Sequence, residues 1–363
     1  MREFSREAAM HSPIRRKLFK AAGALALTAA WPPLLRATVD LPIADSHSHI
    51  GLHLQGGYRG SLKEDMQAAG VMLLAWTIVG DGRWTVRTNQ GIVQRSAPLR
   101  GDQSRYVRQK FEDMKRYLAR NDLAIVEKPA DIEAARSGAP RVVIAVEGAG
   151  FTEDGPELID AFYAQGLRHL QLVHYVRNGI GDFQTERPEH NGMTALGVDT
   201  VKACNRLGIL VDLAHATQPV IDRALETSST PIIWSHSMLS TNQTSWTQSA
   251  GQARRLYIDY AKKIAQRGGA VGLWSSRGPG VRNVDDYAGE LMRMADAIGP
   301  EHVMLGTDTD GLGPGGGVIK DLADLRGVGD ALRKRGADDK TLNAICFENY
   351  ARCLRGAIEK RQA

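Results

Sequence analysis

The chain has 363 residues, of which 43% are hydrophobic and 24% charged, a composition that excludes a disordered tail or a membrane-embedded bundle and fits one large folded core. Its formal charge of +5 comes from 46 basic and 41 acidic side chains, but residues 1–36 alone hold seven basic and two acidic ones. The body therefore carries 39 of each sign, which leaves no electrostatic footprint for a phosphate backbone and speaks against nucleic-acid binding.

The first predicted element is a leader reading SPIRRKLFKAAGALALTAAWPP. Arg15 and Arg16 precede Leu18 and Phe19 and then an apolar run from Ala21 to Ala30. At about 1.5 Å per residue, such a run is too short to cross roughly 30 Å of hydrocarbon as a helix. The layout is that of an export signal, and the paired arginines resemble a twin-arginine signal; a frayed basic N-terminal helix is the alternative. Residues 1–36 are accordingly read as signal and linker, with Ala30 one candidate cleavage point, and 37–363 as one domain exported to the periplasm. No later segment has the pattern of a membrane span.

Past the leader, strands are predicted over 43–50, 71–79, 142–147, 168–175, 208–215, 231–236, 270–276 and 303–309. Most are continuous apolar runs, as expected for strands covered on both faces. Helices are predicted between them over 61–69, 104–120, 156–165, 195–206, 218–226, 254–267, 285–298 and 320–335, with a terminal helix near 340–358. Strand and helix alternating eight times predict an α/β fold, a single (β/α)₈ TIM-type barrel. The stretch 80–103 has no clear period and is predicted to be a long loop over the barrel mouth; GLGPGGG at 311–317 lacks a P-loop ending and reads as a flexible loop. Cys204, Cys346 and Cys353 make no disulfide framework, since Cys346 and Cys353 on one helix would stand about 10 Å apart.

Polar residues recur where these apolar runs end. The first strand ends in Asp45-Ser46-His47-Ser48-His49, the third in Glu147, the fourth in His174, the fifth in His215, the sixth in His236 and the eighth in Asp308. The C-terminal ends of barrel strands are where such enzymes do their chemistry. Residues two apart in an extended chain share a face, so His47 and His49 can meet at one ion. Imidazoles and carboxylates without thiolates suit Zn²⁺ or a similar divalent ion, and more ligands than one tetrahedral ion needs predict two, bridged by Glu147. Such a pair generates a nucleophile from water, and Asp308 is placed by sequence order to accept its proton. Asp45 reads equally as an orienting partner for a ligand histidine or as a strand-end cap. Asp310 reads as structural, and Asn178 as either substrate-facing or a turn residue. Trp76, Trp234 and Trp274 are predicted to be core, Trp84 a pocket residue, and His53, His169, His190 and His302 surface or packing residues.

The phrases DSHSHIG, VVIAVEG, LQLVHYVRNGIGD, NRLGILVDLAHAT, PIIWSHS and HVMLGTDTDG, in this order over roughly residues 43–355, resemble the membrane (renal-type) dipeptidase family of amidohydrolase-like barrels. The resemblance implies metal ligands at His47, position 49, Glu147, His215 and His236. It implies that His174 contacts substrate and steadies the oxyanion, and that Asp308 is the proton acceptor. It also implies an arginine for the substrate carboxylate, best matched by Arg255 with Arg254 the neighbouring alternative. The family has Asp where this chain has His49, and the segment from His236 to Arg255 is longer than usual. The implied activity is zinc-dependent hydrolysis of small dipeptides by a metal-activated water, with a homodimer as the family's implication. Two alternatives stay open: a related amidase or peptide-tailoring hydrolase with a non-dipeptide substrate, and a catalytically degenerate metal-binding barrel.

Overall fold

The computed structural model describes residues 41–52, 58–89, 91–155 and 157–361. The signal and linker expected over 1–36, and His53, lie outside the described residues. Eight parallel strands follow one another in chain order around one sheet: β1 Ile43–Ser48, β2 Val71–Val79, β3 Arg141–Glu147, β4 Leu167–Gln171, β5 Leu210–Asp212, β6 Ile233–Ser237, β7 Ala270–Leu273 and β8 Val303–Leu305. The ring closes where the His49 N–H donates to the Thr309 carbonyl and the Asp308 N–H to the His47 carbonyl, both at 2.9 Å. The predicted (β/α)₈ barrel is therefore the observed fold.

The strands are apolar because both faces are covered, their outer faces packing on the surrounding helices. Several helices start where the sequence supplies an acceptor for free backbone N–H groups: Ser61, Thr194, Asn283 and Asp321 cap Leu62–Ala69, Ala195–Leu207, Val284–Ile298 and Leu322–Lys334. The predicted helix 254–267 begins later, at Ile258, because Leu256–Tyr257 is taken into a short parallel pair with Leu239–Ser240. The helix Pro129–Arg136 is one that the sequence reading omits; a proline in its first turn starts it. The stretch 80–103 is no structureless loop, since Thr85–Thr88 and Gly91–Gln94 pair as an antiparallel hairpin.

The barrel's lower end is filled rather than open. The terminal helix forms as Asp339–Asn343, a π-helical turn Ala344–Glu348, and Asn349–Glu359. Phe347, Tyr350, Cys353, Leu354 and Ala357 pack with Ala44, Met72, Leu73, Val143, Leu210, Ile233 and Met304 in one buried cluster. All three cysteines are free and buried, as the spacing predicts. The seam between β1 and β8 is clasped by Asp45, which accepts from the Thr307 hydroxyl at 2.6 Å, the Thr307 N–H at 2.9 Å and the His47 N–H at 3.2 Å. Asp45 therefore ties strand ends together and does not touch a histidine ring. Beside it the Ser46 hydroxyl donates to the Leu305 carbonyl at 2.7 Å; a side chain at Gly306 would collide with the Ser235 carbonyl at 1.7 Å, so only glycine lets the strands close here. No described helix is long and apolar enough to cross a membrane.

Candidate metal centre

Six strand ends deliver the polar residues to one rim, and all of them are buried there. His47 and His49 leave β1 on the same side, with Nε2 atoms 3.1 Å apart. Glu147, the last residue of β3, stands at the centre. Its Oε1 lies 3.3 Å from His215 Nε2, 3.6 Å from His47 Nε2 and 3.7 Å from His236 Nε2. Its Oε2 lies 3.4 Å from His49 Nε2 and 3.3 Å from His174 Nε2. His215 and His236 bring their Nε2 atoms to 3.2 Å of each other, and Asp308 Oδ1 lies 3.3 Å from His49 Nε2.

The local backbone is bent to achieve this. His215 (φ 72°), Asp308 (φ 54°) and Asp310 (φ 67°) adopt left-handed conformations that non-glycine residues rarely occupy. Such strain persists where surrounding structure holds it, and it concentrates at functional sites. The strands end at Gln171, Asp212 and Leu305, each three residues before His174, His215 and Asp308 and three to four short of the predicted ends at 175, 215 and 309.

The donor chemistry fits divalent cations. The His49 Nδ1–H donates to the Thr77 carbonyl at 2.7 Å, which turns Nε2 toward the cluster. His236 Nδ1 meets the Ser235 hydroxyl at 2.8 Å. Burial, with neighbouring charge from His236 and Arg254 respectively, holds His47 and His215 well below the usual imidazole pKa, and His236 is lowered to about 4, again by burial first. Burial alone would neutralise Glu147, but His174 and His47 foremost hold its carboxyl well below the carboxylate range. Neutral His47, His215 and His236 around an ionised carboxylate are the donor form a divalent ion requires, whereas at His49 burial is outweighed by hydrogen bonding to Asp308 and Glu147, which raises its pKa to about 10. Three overlapping groups have ligand spacing among the described residues: His47, His49 and Asp308; His47, Glu147 and His236; and Glu147, His174 and His215.

A cavity of about 610 Å³ opens above this cluster, walled by the hairpin, Tyr106, Tyr175, Trp274 and the glycine-rich stretch as well as the site residues. Arg254, not Arg255, belongs to that wall; Arg255 lies outside it, its backbone carbonyl accepting from Gln184 Nε2 at 3.0 Å and its N–H donating to the Gln252 carbonyl at 3.1 Å. Arg254 is 2% exposed, donates to Gln184 Oε1 at 2.8 Å, and stands 5.3 Å over the Trp274 ring. Its Nε and Nη2 are buried without a partner, which equips it to receive an anion. Trp274 is thus a cavity residue rather than pure core, whereas Trp76 and Trp234 are core, and Trp84 packs on Tyr106 outside the lining. Arg87 donates to the Gly311 carbonyl at 2.6 Å, so the stretch read as a free loop is fastened to the hairpin.

Asp81 is the functional residue that the sequence reading missed. Its Oδ1 accepts from His174 Nδ1 at 2.6 Å, while Oδ2 accepts from the Tyr175 and Val176 N–H groups at 3.1 and 3.0 Å. Burial opposes a charge on His174, but Asp81 and Glu147 outweigh it and raise its pKa. Asn178 is a turn residue, its Oδ1 accepting from the Ile180 N–H at 3.0 Å, and Asp310 accepts from the Gly51 N–H at 2.8 Å. His190 and His302 contact backbone carbonyls, and His169 sits inside the barrel between Tyr350 and Asp212.

A family model described as membrane dipeptidase (peptidase family M19) matches residues 35–363. The dipeptidase tcpJ of Claviceps purpurea is 26% identical over 226 residues, covering 61% of this chain and 52% of that protein. Dipeptidase 3 of Mus musculus is 25% identical over 229 residues, covering 61% and 45%. The chain thus spans about half the length of the curated relatives it matches. A metallopeptidase from Rhodobacter sphaeroides, solved with a phosphinate mimic of the dipeptide L-Ala-D-Ala, superposes with a TM-score of 0.71 at 22% identity, covering 87% of this chain and 99% of that one.

Proposed function

The chain belongs to the membrane dipeptidase family, peptidase family M19, and from that premise we propose that it is a two-zinc dipeptidase hydrolysing the amide bond of small dipeptides with water as nucleophile. The observation that carries this reading is the convergence of His47, His49, His215 and His236 on the one carboxylate of Glu147. Two divalent ions held by these residues would supply the positive charge that makes a water acidic near neutral pH and polarises a carbonyl.

The remaining roles fall to the chain's own side chains. Arg254 receives the substrate carboxylate on its unpartnered Nε and Nη2, and the Trp274 ring behind it keeps water from competing. His174, held through Nδ1 by Asp81 and kept protonated by its carboxylate neighbours, donates from Nε2 to the oxygen that gains charge. Asp308 accepts the proton of the attacking water and passes it to the leaving amine.

A second reading has two observations in its favour. His49 stands where the resemblance leads one to expect Asp, and the anion-binding arginine comes eighteen positions after His236 on an extended segment. Both favour a related amidase acting on a non-dipeptide substrate. Zn²⁺-loaded protein tested against dipeptides and N-acyl amino acids separates the readings. Dipeptide turnover that disappears in Glu147→Gln supports the first; N-acyl turnover alone moves the assignment to the second; bound metal with no turnover leaves a degenerate binding barrel. From Arg15-Arg16 and the apolar run Ala21–Ala30 we further propose export to the periplasm by the twin-arginine route. An Arg15→Lys, Arg16→Lys variant should then remain in the cytoplasmic fraction.

A further inference from the structure

We propose that the substrate carries a second carboxylate, an acidic side chain in addition to its terminal carboxylate, and that Arg87 and Arg277 on the cavity wall select it. This rests on the dipeptidase reading above and narrows its substrate to acidic dipeptides. The charged side chains of the wall, which encloses about 610 Å³, are Arg87, Arg254, Arg277, Glu147, Asp308 and Asp310. The three carboxylates are committed: Glu147 and Asp308 to the histidine cluster, and Asp310 Oδ2 to the Gly51 N–H at 2.8 Å. Arg254 serves the terminal carboxylate. Arg87 and Arg277 are left over, and among the described residues neither has a carboxylate at ion-pair distance. A cavity with two uncompensated cations in its wall draws in an anion.

Both guanidinium groups are held in place without being used up. Arg87 Nη2 donates to the Gly311 carbonyl at 2.6 Å, and Arg277 Nη1 donates to the Arg282 carbonyl at 2.7 Å. One nitrogen of each fork is thereby fixed, and the others stay open to a carboxylate. Arg282 makes the contrast: its Nε lies 2.7 Å from Asp286 Oδ2, so its charge is compensated where that of Arg277 is not.

The glycine-rich stretch keeps the two arginines unpaired. Arg87 grips it at Gly311, and the Arg277 N–H donates to the Gly316 carbonyl at 2.7 Å. Residues 311–317 are five glycines, a leucine and a proline, so the stretch offers carbonyls to the arginines and no side chain that could cancel their charge. A Cβ at Gly313 would stand 3.2 Å from Arg87 Cζ and Nε, so this guanidinium lies along bare backbone. The volume agrees with a ligand larger than two alanines, since cavities of about 300–1,000 Å³ hold drug-sized molecules.

The test compares substrates of equal size that differ in one charge. Zn²⁺-loaded protein is assayed on Ala-Glu against Ala-Gln and on Glu-Ala against Gln-Ala, and the pair that discriminates tells which residue carries the acid. Wild type should favour the acid at least tenfold in kcat/KM in one pair, the size of one charge-assisted hydrogen bond. That ratio should fall toward one in the double variant Arg87→Met, Arg277→Met and be partly kept in Arg87→Lys, Arg277→Lys. Because the ratio is taken within each protein, a general loss of activity cancels. A wild-type ratio near one in both pairs, or a ratio that the double methionine variant leaves unchanged, would overturn the proposal. Arg277→Met alone leaves the hold of Arg87 on Gly311 intact; if the double variant does not fold, this one should lower the ratio at least threefold, and an unchanged ratio overturns the proposal. No turnover of any dipeptide, Ala-Ala included, would instead overturn the reading beneath it. Isothermal titration with glutarate and its monoamide then decides the role of the arginines: glutarate binding tenfold tighter in wild type but not in the double variant supports it, and equal affinities refute it.

Discussion

The two ends of the barrel are built from the same eight strands and obey opposite rules. At the upper rim, buried imidazoles and carboxylates crowd within 4 Å of one another and the backbone bends into left-handed conformations at His215, Asp308 and Asp310. At the base, Phe347, Tyr350, Leu354 and their neighbours make a dry cluster whose polar groups are paired: His169 meets Tyr350 at 3.1 Å and Asp212 at 3.2 Å. The rim is a place where stability is given up for chemistry, and the base is where it is recovered. Position along a strand, not strand identity, decides which rule applies.

Substitutions at the two ends should therefore separate activity from stability. The largest effect is expected for Glu147→Gln, with kcat reduced by roughly 10³-fold or more, beyond the ~10–100-fold typical of outer partners. Because neighbouring imidazoles hold the Glu147 carboxyl ionised, the metal-free variant should also melt lower than wild type, but by less than the base substitution that follows; a larger loss at the rim than at the base would break the comparison. At the base, Phe347→Ala should cost about 3–5 kcal/mol in denaturant unfolding while leaving kcat per folded molecule unchanged. Arg254→Met should raise KM for substrates with a free carboxylate by about tenfold to a hundredfold and leave carboxyl-amidated analogues nearly unaffected, since a charge-assisted hydrogen bond is worth roughly 1.5–3 kcal/mol. Asp212→Asn sharpens the contrast by pH. The native carboxyl titrates below its ordinary value of 3.8: burial opposes this, but bonding to His169 prevails. Its stabilisation is thus present above pH 3.8 and lost as pH falls through the lowered value. The stability gap between wild type and Asp212→Asn should narrow only in acid, and a gap that narrows at neutral pH would refute it.

Legibility in the sequence followed the same division. The strands could be read because burial on both faces writes them as apolar runs, and the rim residues because each interrupts such a run at its end. Asp81 could not be read, since it sits in Gly80-Asp81-Gly82 with no period and its partner His174 is 93 positions away. Arg254 and Arg255 are adjacent and chemically identical; the short helix Ala250–Ala253 and the strand pair after it decide which one turns inward. The hairpin strands Thr85–Thr88 and Gly91–Gln94 are four residues each, too short to display alternation. Trp274 belongs to the core cluster as predicted and also lines the cavity, since it lies just past Leu273, where β7 ends.

The clasp of Asp45 on Thr307 joins residues 262 positions apart. Contacts of such sequence separation repay their loop-closure entropy late, so the ring should shut as one of the final events in folding. His47 and His49 stand on one side of that junction and Asp308 on the other. A cation shared between them would act as a rivet, set only after the circle is complete and resisting its reopening. Chelation should then accelerate hydrogen exchange first at His49 and Asp308, whose amides bridge the gap, before it reaches the strands opposite.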